Sequence, residues 1–367
     1  MIKKLSSMLL LTFLVSGCSQ PNNKDKENIK LKTSIDSIVQ KYNKKLQSKE
    51  IIVSIMDSHT GKIIYINNIK SATQFTFEPG SIIKPISIAV ALNNKKIKDN
   101  EQFFAYNEGI KDKNGNFPRG KYKVGRWTIR DFHQFNKHYL TVDDIVMFSS
   151  NIGTALIANR LSGQEFLEGF QNFGLSKKTG IDLPYEREGL LHKLYQYSAG
   201  DQSDNDKPNV FKTTDSYGQG ISVTFIQMIK AYSVFNNDGI IVTPYIKTKT
   251  EQDNRVLSKD ATKHIKQLLI ETVKSGTGSK AFIEGLEIGG KTGTANIVEN
   301  GKYQKKYMSS FFGFVNDKHH KYIIGVTVNN PISTGEHWYY YYASYSAVPV
   351  FKEIVKVLED QKFLTIN

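Results

Sequence analysis

Runs with the β-branched content of strands lie near both ends of this 367-residue chain, while the stretches between them carry helical spacing. Near the start, Ile51-Ile52-Val53-Ser54-Ile55-Met56-Asp57 and Lys62-Ile63-Ile64-Tyr65-Ile66 flank Ser58-His59-Thr60-Gly61. Two such runs around a glycine turn predict a β-hairpin. Near the end, Leu286-Glu287-Ile288 leads through Gly289-Gly290 into Lys291, with a turn at Glu299-Asn300-Gly301. Further strands are expected over Ser309–Val315 and Tyr322–Val328, and a closing helix over Val350–Leu358. A sheet drawn from both ends must bring those ends together. The intervening helices then pack on it, which predicts one α+β domain rather than two.

Apolar spacing predicts helices over Ser34–Leu46 and over residues 152–161, 221–236 and 259–274. Another, buried, starts at or near Ser81, with Pro85 in its first turn, where a missing N–H costs least. Thr141 is the expected N-cap of a helix that opens with Asp143 and Asp144. Residues 101–140, rich in Gly, Asn and aromatics, read as irregular surface structure.

Three short patterns carry chemistry. The first is Ser81-Ile82-Ile83-Lys84. Residues three apart share a helix face, so an amine lies beside a hydroxyl. A serine is a poor nucleophile until a base takes its proton, and a lysine with lowered pKa is such a base. The second is Ser149-Ser150-Asn151, where a hydroxyl relays protons and an amide holds a substrate amide. The third is Lys291-Thr292-Gly293-Thr294, a strand whose lysine and hydroxyls suit a carboxylate and whose glycine lets a substrate backbone approach. Each pattern alone is weak, and two recur. Ser203-Asp204-Asn205 falls in a polar loop, and Lys178-Thr179-Gly180 runs into Pro184 and reads as a loop.

Together and in this order the three patterns are the signatures of penicillin-binding proteins and serine β-lactamases. The sequence resembles the transpeptidase domain of class B penicillin-binding proteins, especially the division-type ones. The likeness extends to Glu78-Pro79-Gly80 before Ser81, to Phe173-Gly174-Leu175 with Thr179–Pro184, and to Tyr217-Gly218-Gln219-Gly220. It continues in Gly276-Thr277-Gly278, Ser310–Phe314 and Ala347–Phe351, and so covers roughly residues 50–360. Where the family often has Tyr-Gly-Gly, this chain has Tyr342-Ala343-Ser344 after a run of tyrosines, expected to pack on a sheet edge.

The resemblance implies a DD-peptidase/serine β-lactamase-like fold, an antiparallel sheet flanked by helices plus a helical subdomain. It also implies a D,D-transpeptidase of peptidoglycan synthesis that works through an acyl-enzyme and binds penicillins. Ser81 would be the nucleophile, Lys84 its base and Ser149 the proton relay. Asn151 would position the stem peptide, Lys291, Thr292 and Thr294 would hold its carboxylate, and Gly293 would let its backbone approach. The partners implied are peptidoglycan stem peptides and β-lactams, with no cofactor and no metal. Rival readings are a D,D-carboxypeptidase or endopeptidase, a serine β-lactamase using Glu186 or Glu188 to activate water, and a β-lactam sensor.

The first residues predict export. Met1-Ile2-Lys3-Lys4 and apolar Leu9–Val15 lead to Val15-Ser16-Gly17-Cys18, which resembles a lipobox. Cys18 is the only cysteine, and a lipid would account for it. The expected division is a signal peptide over 1–17, a tether over 18–32 and the catalytic domain over 33–367, exported and held on a bacterial membrane by the Cys18 lipid. The net charge is +14, about +12 without Lys3 and Lys4, and is spread along the chain with no basic block. That spread, and the lack of any finger or aromatic-basic repeat, argues against a nucleic-acid partner.

Overall fold

The computed structural model describes residues 23–199 and 208–366. Its centre is a five-stranded antiparallel sheet: β1 (Glu50–Asp57), β2 (Ile63–Ile66), β3 (Glu287–Glu299), β4 (Lys302–Asn316) and β5 (Lys321–Asn329). The spatial order is β3-β4-β5-β1-β2. The two ends of the chain meet where β1 pairs with β5, with Val53 opposite Val326 and Ile55 opposite Ile324.

Alternation along the strands divides the core between two faces. Ile51, Val53, Ile55, Phe311, Val315, Ile324 and Val326 pack against α1 (Asn23–Leu46) and the C-terminal helix (Ala347–Asp360). Ile52, Met56, Phe312, Phe314 and Ile323 face the larger core on the other side. The helices there are α2 (Lys84–Asn93), α3 (Val142–Met147), α4 (Asn151–Ala158), α5 (Gly163–Asn172), α6 (Phe225–Asn236) and α7 (Lys259–Ser275). Every residue of α6 is buried, as expected of a helix enclosed on all sides. Of these helices, α2 packs on α4, α5 and α7, and α3 on α4 and α7. This is the predicted α+β architecture, with helices on both faces of one sheet.

Five local readings change. Of the expected tether over 18–32, the described part from residue 23 is helical, and Leu31 is buried with Ile35 and Ile38 against the sheet. Its lysines and glutamate are good helix formers, so the polar stretch continues the apolar-faced helix backwards. The segment at Ser81 begins as a 3₁₀ turn, Gly80–Ile83, and becomes α-helical only at Lys84, with Pro85 in the first turn. Residues 101–140 are not wholly irregular. Gln102–Phe104 pairs with Tyr139–Thr141, and Lys121–Val124 with Trp127–Arg130. The helix read over 152–161 ends at Ala158, and the one read over 221–236 begins only at Phe225, after the Thr224 cap. Thr141 caps α3 as expected, in a reciprocal pair with Asp144. Cys18 and Ser203–Asn205 lie outside the described residues.

Candidate active site

The Ser81 turn is fixed on three sides. Gly80 has φ of 56°, and its N–H donates to the Gly218 carbonyl at 3.0 Å. A side chain on Gly218 would fall 2.3 Å from the Gly80 oxygen, so the two backbones meet only because Gly218 has no side chain. From beneath, the buried Tyr232 hydroxyl donates to the Ile82 carbonyl at 2.7 Å. On the third side lies β3. A Cβ on Gly293 would meet Ile82 Cγ2 at 2.8 Å, so this glycine admits the turn to the strand edge. Ser81 stays half-buried while Gly80, Ile82, Ile83 and Lys84 are buried.

Lys84 has no solvent exposure. Its Nζ donates to the Ser149 carbonyl at 2.6 Å and to Asn151 Oδ1 at 2.7 Å, and lies 3.1 Å from Ser149 Oγ. Burial first, and the neighbouring Lys291 charge second, hold its pKa well below the usual lysine value, while Asp131 pulls the other way. A neutral amine has two N–H groups and one lone pair. In that neutral form the two N–H groups can serve Ser149 O and Asn151 Oδ1 and the lone pair a hydroxyl proton.

Ser149 reaches Lys84 through an unusual backbone. It joins α3 to α4 with φ of 62°, left-handed for a non-glycine residue, and both of its oxygens face the amine. Ser150 then caps α4, accepting from the Gly153 N–H at 2.9 Å. The turn is gripped by Asp131, which is 2 % exposed. Its carboxylate accepts from Ser150 Oγ at 2.9 Å, Asn151 N at 2.6 Å and Ile152 N at 3.0 Å. Asn151 Nδ2 donates to the Arg130 carbonyl at 2.9 Å, which leaves one amide hydrogen for a substrate.

The third element is the sheet edge. Among the described residues β3 pairs only with β4, so its outer row of N–H and C=O groups is open to an extended peptide. Lys291 is fully buried there. Its one hydrogen-bond acceptor among the described residues is the Thr292 carbonyl at 3.3 Å, and burial lowers its pKa to about 7. Thr292 Oγ1 donates to Thr277 Oγ1 at 2.9 Å. The Thr294 hydroxyl is engaged elsewhere: it accepts from the Ala343 N–H at 3.3 Å and lies 3.5 Å from the Tyr341 carbonyl.

The structure thus brings Ser81, Lys84, Ser149, Asn151 and Lys291–Thr294 into one constellation of partly exposed hydroxyls over two buried amines. The second Lys-Thr-Gly is elsewhere, its Thr179 N–H bound by Glu186 and its carbonyl by Lys230. Glu186 and Glu188 line a separate cavity of about 340 Å³ with Arg187 and Ser222. The tyrosine run packs over β4, Tyr341 stacking on Tyr307 at 4.4 Å, and Tyr342 meets Phe132 edge-on at 5.5 Å. Sequence reasoning missed Asp131, Tyr232 and the backbone of 341–343. It quoted Thr277 and Gly218 only as part of a likeness.

A buried lysine three residues beyond a serine, with a second hydroxyl on the same amine and a free strand edge alongside, is the arrangement that the three ordered patterns lead one to expect. Residues 51–356 match the penicillin binding protein transpeptidase domain family, and the chain belongs to it. It is 27 % identical to the Probable peptidoglycan D,D-transpeptidase PenA of Neisseria gonorrhoeae, over 93 % of this chain and 59 % of that protein. It is 32 % identical to the Stage V sporulation protein D of Bacillus subtilis, over 71 % of this chain and 39 % of that one. The chain therefore spans less than two thirds of each of these relatives. The transpeptidase domain of penicillin-binding protein 3 from Burkholderia pseudomallei superposes with a TM-score of 0.77 at 26 % identity, over 92 % of this chain and 96 % of that one. The family and fold drawn from the motifs are borne out.

Proposed function

We propose that the chain is a peptidoglycan D,D-transpeptidase that cleaves the bond between two terminal D-alanines of a stem peptide through an acyl-enzyme on Ser81. The observation that carries this reading is the Lys84 amine, buried, held by Ser149 and Asn151, and kept low in pKa one turn from Ser81. Lys84 takes the Ser81 proton as Oγ attacks the carbonyl. The oxyanion sits on the backbone N–H groups of Ser81 and Thr294, each worth about 3 kcal/mol. Ser149 passes the proton from Lys84 to the departing D-alanine nitrogen. An amine from a neighbouring stem then attacks the ester, and its proton returns to Ser81. Lys291 and Thr292 hold the substrate carboxylate. Thr294 acts through its backbone, since its hydroxyl is tied to residues 341–343. Penicillins, which carry a carboxylate beside a strained amide, would stop at the ester.

Export and a lipid on Cys18 belong to the same proposal. No helix among the described residues is long and apolar enough to cross a membrane. Cys18→Ala would move the protein from the membrane to the soluble fraction. For the chemistry, the test is mass spectrometry after benzylpenicillin. Wild type gains one adduct on the peptide holding Ser81, and Ser81→Ala gains none. An adduct on the variant would end the assignment. Product analysis with wall precursors then distinguishes cross-linked dimer from trimmed stem. Against the β-lactamase reading, Glu186 and Glu188 line a cavity apart from Ser81, and Glu186 accepts from the Thr179 N–H.

A further inference from the structure

Cross-linking demands an amine on the acceptor stem. Because stems are built alike, the donor stem carries the same amine on a side chain, so an enzyme of this kind must house that amine on the donor side as well. We propose, on the footing of the transpeptidase reading, that the cavity of about 450 Å³ beyond Ala295 is the subsite for the donor's amine-bearing side chain, with Glu78 as its counter-ion.

Register places it. A peptide pairing with the open edge of β3, its acid end at Lys291–Thr292 and its reacting carbonyl at Thr294, advances about 3.4 Å per residue. The residues preceding the cleaved bond then lie along Asn296 and Val298. There the strand leaves its regular pairing with β4, with a register shift between Asn296 and Val298, and the cavity opens. Its walls include Phe75, Phe77, Ile221, Ile297, Val298 and Met308. Such walls suit the methylenes of a side chain, and a polar tip needs one charged partner at the end.

Glu78 is that partner. It lines the cavity three residues before Ser81. Its Oε1 accepts from the Gly220 N–H at 2.9 Å and from the Tyr303 hydroxyl at 3.1 Å. Its Oε2 is buried with no donor. The cavity's other charged groups are differently placed: Glu299 pairs with Lys306 at 2.9 Å, and Lys49 is exposed. Glu78 is thus a carboxylate without a basic partner among the described residues, and burial raises its pKa. An arriving ammonium supplies the missing charge.

The test measures acylation of the full chain by two pentapeptides ending in D-Ala-D-Ala, one with lysine and one with norleucine at the residue preceding that pair. Benzylpenicillin reports on Ser81. Wild type should acylate with the lysine stem about ten-fold faster, the worth of one charge-assisted hydrogen bond. In Glu78→Gln, which keeps an acceptor for Gly220 and Tyr303, that preference should collapse. Equal rates for the two stems in wild type, or an undiminished preference in Glu78→Gln, overturn the subsite. If neither stem acylates Ser81 although penicillin does, the cross-linking reading itself fails. Should Glu78→Gln lose penicillin acylation too, Val298→Lys at the cavity rim asks the same question. A like charge there must slow the lysine stem and spare the norleucine stem, and no change overturns the proposal.

Discussion

Lys84 and Lys291 are equally buried, and the protein treats them differently. Lys84 sits in the helical half of the site with two carbonyl oxygens at 2.6 and 2.7 Å, a hydroxyl at 3.1 Å and the Asp131 carboxylate acting on its charge. Lys291 sits on the sheet half with, among the described residues, a single carbonyl acceptor at 3.3 Å, and burial is what lowers its pKa. Burying an amine without partners costs more than burying one with them. The lesson is a division of labour. On the proposed reading, the amine supplied with acceptors is held in place to receive a proton, and the amine left without them binds a negative charge that the substrate brings.

Removing either amine breaks the comparison in its own way. Lys84→Ala should slow acylation by penicillin and by stem peptide alike, about 10³-fold or more, as expected for loss of a general base. Stopped-flow acylation with a fluorescent penicillin measures it. Lys291→Met should lower acylation by carboxylate-bearing ligands about 10²-fold while a penicillin methyl ester is little affected, because only the former lose a partner. The same variant should be more stable than wild type. A lysine at about 7 in the fold and near its ordinary value when unfolded binds fewer protons folded than unfolded between those values, so the penalty is fully present below about pH 7 and fades toward alkaline pH. The melting temperature of Lys291→Met should therefore exceed that of wild type at pH 7, with the margin shrinking at pH 10. A variant no more stable at pH 7 would mean that the buried amine already has a counter-charge.

Much of this was legible in the sequence because it is written in local periodicity. The strand runs at Ile51–Asp57 and Tyr322–Val328, the cap at Thr141 and the helix at 259–274 all express spacing that neighbours enforce. The constellation was legible because its three patterns are short and ordered. What escaped depends on contacts that sequence spacing does not carry. Asp131 stands in a stretch of three- and four-residue strands, too short for alternation to show, and its partners at Ser150–Ile152 belong to another element. Tyr232 reads as one more apolar position on a buried helix, yet its hydroxyl steadies the Ser81 turn. The Thr294 hydroxyl, read as a carboxylate ligand, is claimed by residues far along the chain. A 3₁₀ turn at Ser81 has the same apolar residues as an α-helical one, so spacing does not separate them.

Asp131 supplies the finest test, because it acts on one lysine through both position and charge. Its carboxylate holds the turn that presents Ser149 and Asn151, and its negative charge raises the pKa of Lys84, while Lys291 lowers it. Asp131→Asn keeps the shape and removes the charge. Acylation should fall about ten-fold as the turn loosens, the cost of weakening charge-assisted hydrogen bonds. The pH dependence then separates placement from packing. Acylation needs neutral Lys84, so the rate falls on the acid side as that amine gains its proton. Without the Asp131 charge the proton binds less tightly, and the acid limb of the rate profile should move to lower pH. Without the Lys291 charge it binds more tightly, and in Lys291→Met the same limb should move to higher pH, by roughly one unit. If Asp131 were merely a cap on α4, Asp131→Asn would lower the rate and leave the limb where it was. Two limbs displaced in the same direction would mean that the amine being titrated is not Lys84.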